Sequence, residues 1–375
     1  MAQALGKGAT VPPSPSASSL ASIMSQCLSL EASIASLLQT LNPRCADCPR
    51  PSPSPLDHFA PHLNPGLVIR VIKAQKNPLH ALFFFNWASA SPNRYSHTNP
   101  CFVAITNLLL SHGLFSKAVS LLKSANKLSD FMISKLIKSR GDRNDIGGAI
   151  DCFNHVKSLE SGRCLFSYNA ILGVLVRANR IGLARGFFNQ MLKEGVVTPD
   201  VSTFTTMIRG YCKNGRMGDA RMVFDEMTCE PNLVTYNTII AGFCINGLMD
   251  DARGTVDGMI QRRLCLPDTV TYTTLIDGYC KTGDFAAAKR CMDEMVSRNQ
   301  KPNMVTYNAL INGLCLNGRV DEARMMMNQM WSDGLRSNVS THTSLAIGLC
   351  IVGKSGEAVK HLWEMVHLGM ELDAK

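Results

Sequence analysis

Apolar side chains recur between residues 165 and 373 with the spacing of short amphipathic helices. In the stretch that begins at Thr269, one face follows the i, i+3, i+4, i+7, i+8 spacing: Tyr272, Leu275, Ile276, Tyr279 and Cys280. This pattern predicts a first helix over residues 270–282 that ends at Gly283, since glycine readily adopts the left-handed conformation after a helix. A second helix is predicted over residues 284–298, and Pro302 ends the stretch.

The helix pair is one unit of a tandem repeat. Six clear units begin at Leu165, Val201, Leu233, Thr269, Met304 and Val339. In each unit the fifteenth residue is Gly or Asn, the twentieth is Ala and the twenty-seventh is Met. The unit from Val201 lacks three residues near its end, which predicts a shortened second helix. A repeat at this period is typical of an all-α solenoid of helix-turn-helix units, each of which buries its apolar face against its neighbours.

Composition and pattern divide the chain into four parts: residues 1–55, 56–98, 99–164 and 165–373. The first is rich in Ser, Ala and Pro and has no acidic residue before Glu31, as in an organellar transit peptide; a plain disordered tail is the alternative. The second is predicted to be a helical cap with a dense aromatic core, ALFFFNW. The third fits two degenerate repeats, and the fourth holds the six clear ones. Because the chain stops at residue 375 without a polar capping helix, we expect a truncated array whose open end suits a protein partner.

Charge and cysteine usage narrow the functional classes. The net charge of +9 suggests an anionic partner. The twelfth residue of five units is a cysteine, which predicts small, reduced thiols buried on one helix face: Cys212, Cys244, Cys280, Cys315 and Cys350. A lone CxxC at Cys45 and Cys48 has no second pair, so it is weak support for zinc. The sequence shows no nucleophile, metal or phosphate-loop motif, and we expect neither catalysis nor a cofactor.

Two polar positions are not required by packing. The fifth residue of the units is always Asn or Thr: Asn169, Thr205, Asn237, Thr273, Asn308 and Thr343. The last residue is always Asp or Asn: Asp200, Asn232, Asp268, Asn303, Asn338 and Asp373. A helix N-cap explains the last residue by itself, and a solvated position explains the fifth. Their alternation within such narrow chemical sets favours a ladder of donors and acceptors that recognises bases.

The phrases VTYNTIIAGFCINGLMDDA and VTYNALINGLCLNGRVDEA resemble the pentatricopeptide repeat family of plant organelles, in its P-type form. The resemblance implies a right-handed α-solenoid that binds single-stranded RNA, one base per repeat, to support RNA processing, stability, splicing or translation. Family habit favours the mitochondrion, and the chloroplast is the alternative. No membrane and no small-molecule substrate are expected. The rival function is a peptide-binding scaffold of the tetratricopeptide kind, which would need varied charged and apolar residues where this chain repeats Asn, Thr and Asp.

In that family the fifth and last residues of each unit select the base. By this resemblance, the six pairs imply the site UAUAYG in order: Asn169 with Asp200, Thr205 with Asn232, Asn237 with Asp268, Thr273 with Asn303, Asn308 with Asn338, and Thr343 with Asp373. The second residue packs on the base, which is the role implied for Phe166, Val234, Val270 and Val305; Ser202 and Ser340 depart from this pattern. The thirteenth residue is implied to meet phosphate where it is basic, at Arg177, Lys213 and Lys281, whereas it is apolar in the other three units.

Overall fold

The computed structural model describes residues 30–39, 55–90, 93, 95–155, 164–262 and 265–367. Its described residues carry helices and turns, and none of them is in a β-strand. Most of the segment 1–55, the Cys45–Cys48 motif and Asp373 lie outside the described residues. Inside that segment, residues 30–39 form a helix, α1, in which Ile34 and Leu38 are buried.

The chain divides into two compact units, residues 1–139 and 140–375. The division falls within a helix and not at either edge of the segment 99–164 that the sequence marks as degenerate repeats. The helices of the first unit are a 3₁₀ turn Asp57–His62, α2 (Pro65–Ala74), α3 (Pro78–Ala88), α4 (Asn99–Ser111), α5 (Phe115–Ser124) and most of α6 (Asp130–Asp142). The predicted core packing of the aromatic run is confirmed: Phe84, Phe85 and Trp87 are buried, and Trp87 Nε1 donates to Asp57 Oδ1 over 3.0 Å.

The second unit continues with α7 (Ile146–His155) and six helix pairs. These pairs are α8 (Leu165–Arg177) with α9 (Ile181–Glu194), α10 (Val201–Lys213) with α11 (Met217–Asp225), α12 (Leu233–Ile245) with α13 (Met249–Arg262), α14 (Thr269–Thr282) with α15 (Phe285–Ser297), α16 (Met304–Leu316) with α17 (Val320–Ser332), and α18 (Val339–Ile351) with α19 (Ser355–His367). Each first helix packs on its own second helix, and each one before α18 also packs on the first helix of the next pair. The first helices therefore form one continuous layer within this unit, and the same side-chain positions recur along it.

The turn inside each helix pair is set by one left-handed residue. The fifteenth position has a positive φ in all eight frames, including the two degenerate ones: Gly113, Asn144, Asn179, Gly215, Gly247, Gly283, Gly318 and Gly353. A glycine has no Cβ to clash in this conformation, and asparagine tolerates it better than most residues. The second helix then begins at position 17, and the alanine at position 20 is fully buried where the two helices cross; Ala184, Ala288 and Ala323 have no exposed surface.

The shortened second helix predicted for the unit from Val201 is confirmed. Helix α11 has 9 residues, whereas α9 has 14 and α15 has 13. Met227, which falls beyond the end of α11, is only half-buried. Its counterparts Met191, Met259 and Met295 have no exposed surface. The deletion therefore removes the last turn that would have carried this methionine into the core.

Adjacent first helices approach closely because a glycine faces a cysteine. A Cβ on Gly278 would lie 2.9 Å from Cys244 Cβ, and one on Gly313 would lie 2.5 Å from Cys280 Cβ. Burial raises the pKa of the Cys244 and Cys280 thiols to about 12, so they stay protonated at neutral pH. The prediction of buried thiols is wrong for Cys350, which is exposed: within the described residues no further first helix lies against it.

Candidate nucleic-acid interface

The fifth and last residues of a unit meet at the junction with the next unit. In the unit from Leu165, Asn169 Nδ2 donates to Asp200 Oδ1 over 3.1 Å. Asn237 Nδ2 donates to Asp268 Oδ1 over 3.3 Å in the unit from Leu233. The equivalent contact from Asn308 Nδ2 to Asn338 Oδ1 is 3.4 Å. The side chains that the sequence pairs by position thus form three hydrogen-bonded pairs.

The units with threonine at position five are connected differently. Thr205 Oγ1 lies 2.8 Å from Thr235 Oγ1, and Thr273 Oγ1 lies 2.8 Å from Thr306 Oγ1. Each partner is the third residue of the next unit, and Thr235 Oγ1 also lies 3.0 Å from Asn232 Oδ1. In these units the fifth and last residues are therefore joined through a second threonine. Thr343 is exposed and donates to its own helix at Val339 O, and its sequence partner Asp373 lies outside the described residues.

The last residue of each unit is also the N-cap of the following first helix. Its Oδ1 accepts from the backbone N–H three residues on: over 2.8 Å for Asp200, 3.0 Å for Asn232, 2.9 Å for Asp268, 3.1 Å for Asn303 and 3.0 Å for Asn338. The prediction that the last residue is a helix N-cap is thus confirmed. The cap uses only Oδ1, which is one of the two terminal atoms of the Asp or Asn side chain. In the part of the chain that the structure describes, Oδ2 of the aspartates and Nδ2 of the asparagines at these five positions accept or donate no hydrogen bond. That atom is available to a ligand.

The two aspartates of these pairs carry a negative charge at neutral pH. Partial burial opposes ionisation of Asp200 and Asp268, but hydrogen bonds outweigh it. For Asp268 these bonds come from the backbone and hydroxyl of Thr271 and from the Asn237 amide, and they hold the pKa of the carboxyl below its ordinary value. The ladder therefore presents fixed acceptors at Asp200 and Asp268 and donors at Asn232, Asn303 and Asn338.

Apolar side chains stand exposed beside the polar pairs. At the second position of the units, Phe166 is 60% exposed, Val234 56%, Val270 57% and Val305 61%. These half-exposed apolar side chains flank the pairs Asn237–Asp268 and Thr273–Asn303 on both sides. Ser202 and Ser340 are exposed at the same position and leave a smaller surface in their units.

Two open clefts run between the first helices of neighbouring units. One has a volume of about 740 Å³, and its lining includes Arg209, Lys213, Val234, Asn237, Asp268 and Val270. The other has a volume of about 670 Å³, and its lining includes Thr273, Lys281, Val305, Asn308 and Asn338. Each cleft therefore presents an apolar second residue, a polar pair and a basic residue together.

The three basic residues at position thirteen differ in their partners. Lys213 is exposed and has no ion pair within the described residues. Arg177 lies 3.1 Å from Asp142, and Lys281 lies 2.5 Å from Asp277. Both of these pairs are largely exposed, and exposed pairs of this kind are weak. An incoming phosphate can compete with such carboxylates for the cation.

The third-position threonine was not singled out from the sequence. It is a threonine in five successive units and is fully or almost fully buried: Thr203, Thr235, Thr271, Thr306 and Thr341. The sequence signal that could have identified this position is the recurrence of threonine directly before Tyr, Phe or His at the start of the units. A buried hydroxyl needs a hydrogen-bond partner, and here the partners are the fifth and last residues themselves.

The described part of the chain contains neither a cluster of metal ligands nor a helix that could span a membrane. No group of three or more His, Cys, Asp or Glu side chains there is arranged to hold a metal ion. None of the helices described is both long and apolar enough to cross a bilayer.

Tandem helix pairs with the same polar positions at every junction define a helical-repeat protein. Comparison with family models identifies the repeats. Models of the PPR repeat family match residues 163–210, 199–244, 267–316 and 302–351, and a PPR repeat model matches 234–264 and 340–370. Together these matches span more than half of the chain, so the protein belongs to the pentatricopeptide repeat family.

The relatives are plant proteins of greater length. The chain is 30% identical over 184 residues to pentatricopeptide repeat-containing protein At1g79540 of Arabidopsis thaliana, which covers 48% of this chain and 23% of that protein. It is 31% identical over 167 residues to the chloroplastic protein At1g02060 of the same plant, covering 43% and 23%. Other matched relatives are named as mitochondrial. The chain thus spans about a quarter of the length of the first relatives it matches.

A solved structure shares the fold. The maize pentatricopeptide repeat protein PPR10 superposes with a TM-score of 0.52 at 20% identity, over 85% of this chain and 51% of that chain. This agrees with the all-helical fold of tandem repeats expected from the sequence.

Proposed function

We propose that this protein binds single-stranded RNA in a sequence-specific manner inside a plant organelle, with one base per repeat and without catalysis. The observation that carries the proposal is the hydrogen-bonded pair of fifth and last residues, such as Asn237 with Asp268, which leaves one acceptor or donor atom free in a cleft between repeats. Bound RNA of defined sequence would serve RNA processing, stability, splicing or translation.

The free atom of the last residue supplies the chemistry for choosing a base. Uracil and guanine present an N–H on the Watson–Crick edge, whereas adenine and cytosine present a bare ring nitrogen. The charged Oδ2 of Asp268 suits the first class, and the Nδ2 of Asn232 suits the second. The fifth residue then sets the size of the base: Thr205 is shorter than asparagine and buried, which leaves room for a purine. These preferences agree with the core UAUAYG and favour C at its fifth nucleotide; the final G depends on Asp373.

The second residue holds the base by packing. A base that lies between Val234 and Val270 would contact apolar side chains that are more than half exposed in the free protein. Base stacking on protein side chains tolerates every base, so it adds affinity and leaves selection to the polar pair. Lys213 and Arg209 at the same cleft supply positive charge for the RNA backbone.

The organelle is proposed from family membership and from the relatives, some of which are named as chloroplastic and others as mitochondrial. We favour the mitochondrion and keep the chloroplast as the alternative. A fusion of residues 1–62 to a fluorescent protein, expressed in plant cells, tests this: fluorescence in mitochondria is the expected result, and fluorescence in plastids or cytosol would contradict it.

RNA recognition is tested by equilibrium binding of the full chain to a strand that contains UAUACG and to a scrambled strand of the same composition. Salt must be held constant because phosphate contacts make affinity depend on it. We expect clear preference for UAUACG. Equal, weak binding to both strands would mean that the polar ladder is structural, and a folded protein that binds neither strand would favour a peptide-binding scaffold.

A matched pair of variants tests the clefts. Val270→Asn removes apolar surface from the base-packing row, whereas Val296→Asn makes the same change on α15, at a side chain that is equally exposed at 56%. We expect the first variant to weaken RNA binding and the second to leave it unchanged. Equal effects of the two changes would place RNA binding elsewhere.

A further inference from the structure

The buried threonine at the third position of a unit touches both members of the pair that precedes it. Thr271 Oγ1 donates to Asn237 Oδ1 over 2.6 Å and lies 2.9 Å from Asp268 Oδ1. The hydroxyls of Thr203 and Thr341 lie at the same 2.6 Å from Asn169 and Asn308. Three separate junctions therefore share one arrangement, in which an asparagine amide is held at both ends.

We infer that this threonine is a positioning residue for base selection: its hydroxyl fixes the orientation of the fifth-position amide, and so the base preference of the unit before it. The inference rests on the proposed RNA binding and extends it. It adds a third residue, which makes no contact with RNA, to the two that face the base.

The chemistry of the partners determines the orientation of the amide. The Asp268 carboxylate only accepts hydrogen bonds, so the Asn237 amide must turn its Nδ2 towards it. The opposite end, Oδ1, then faces Thr271, whose hydroxyl is the donor that satisfies it. Without that donor the oxygen of the partly buried Asn237 amide would lose its partner, and the amide would be free to rotate away from the carboxylate. The second N–H of Nδ2 would then no longer point consistently towards a base.

Units with threonine at position five offer an internal comparison. Thr205 donates to Val201 O of its own helix over 2.6 Å, so its hydroxyl is already oriented without the next unit. Thr235 contacts it over 2.8 Å and adds less to its orientation. The loss of a third-position hydroxyl should therefore change base selection by the preceding unit more when that unit has asparagine at position five than when it has threonine there.

A purely structural role would look different. Thr271 Oγ1 also accepts from the backbone N–H of Asp268 over 3.2 Å, as part of the capping of α14. If capping were its only role, its loss would lower stability and would weaken binding to every RNA by the same factor. The ratio of affinities for two RNAs separates the two roles.

The experiment compares the full chain with Thr271→Val, Thr271→Ser and Thr235→Val. Binding is measured at fixed salt to UAUACG, to UACACG, which changes the nucleotide assigned to Asn237, and to UGUACG, which changes the one assigned to Thr205. We expect the wild type to favour U over C by about tenfold, as is usual for one mismatch. Thr271→Val should reduce this ratio below about threefold, and Thr271→Ser should keep it. Thr235→Val should keep most of the preference for UAUACG over UGUACG.

The outcomes separate the inference from the function on which it rests. A wild type without preference for U would overturn both. If the wild type prefers U and Thr271→Val keeps that preference in full, the inference alone is overturned. Equal losses of selectivity in Thr271→Val and Thr235→Val would also overturn the inference alone. Thermal unfolding followed by circular dichroism shows whether Thr271→Val folds. If it does not, Thr203→Val and an RNA altered at the first nucleotide repeat the test at the pair of Asn169 and Asp200.

Discussion

Asp268→Asn should change the base that the unit from Leu233 prefers without disturbing its fold. Asn338 occupies the equivalent position in another unit and caps its helix over 3.0 Å, close to the 2.9 Å of Asp268. Aspartate and asparagine are also nearly equal as N-caps, so the cost in stability should be no more than a few tenths of a kcal/mol. The charge and the free terminal atom change, while the cap remains.

The magnitude follows from the atom that is replaced. With Asp268, uracil donates to a carboxylate, and a hydrogen bond to a charged group contributes about 1.5–3 kcal/mol. With asparagine, the same N–H meets a donor, so the affinity for U should fall by about tenfold or more. Cytosine gains a neutral hydrogen bond of about 0.5–1.5 kcal/mol, so its affinity should rise by a few-fold. The preferred base at this position should therefore change from U to C.

The assay is equilibrium binding at fixed salt to four RNAs that differ only at the third nucleotide of UAUACG. Asp250→Asn is the control, because it makes the same change in net charge on the exposed start of α13. The control should raise affinity for all four RNAs slightly and equally. An unchanged preference for U in Asp268→Asn, or a change of preference in Asp250→Asn, would refute the reasoning.

Three further predictions concern packing, thiols and pH. Gly278→Ala should destabilise the fold by about 1–3 kcal/mol because its Cβ would lie within 3 Å of a buried cysteine. Gly258→Ala is the control: its Cβ would meet nothing within 4 Å, so it should stabilise α13. Thermal unfolding measures both changes. In labelling with a thiol reagent at pH 8, Cys350→Ser should remove one fast-reacting thiol, whereas Cys280→Ser should remove none, because burial raises the Cys280 pKa to about 12. Because hydrogen bonds lower the pKa of Asp268, the stabilisation that depends on its charge is fully present above the ordinary carboxyl pKa of about 4 and is lost as pH falls through the lowered pKa. The small difference in stability between wild type and Asp268→Asn should therefore stay constant above about pH 4 and change only at lower pH.

Much of the local structure could be predicted from single positions. Gly283 ends α14 in a left-handed conformation, and Asp268 caps its start, because few residues other than glycine or a short polar side chain meet these backbone requirements. The deletion before Pro231 likewise predicted the short α11. Such features depend on the local chain, so sequence spacing is enough to place them.

Contacts between units were harder to predict. A glycine two residues before the cysteine at position twelve recurs in five units, and a mid-helix glycine is costly enough to require a reason. Its reason is the neighbouring helix: Gly313 leaves room for Cys280, which belongs to the preceding unit. The different connections of Asn237 and Thr205 were also not predicted, because they depend on which atom of the next unit lies within 3 Å. Cys350 was misplaced for the same reason, since its burial requires a helix packed against it.

Under the proposed function, the double use of the last residue would let such an array change its target without losing its fold. Asp268 and Asn338 both give one oxygen to the helix that follows, and that requirement admits only a few short polar side chains. Within that set, the remaining atom can be an acceptor or a donor at almost no cost in stability. The hydroxyl of the buried Thr271 contacts the side chain of the last residue only at the shared oxygen, Oδ1, so it tolerates either residue. The need for a stable N-cap thus constrains Oδ1, whereas the second terminal atom can be Oδ2 or Nδ2 and so can vary with the base that is recognised.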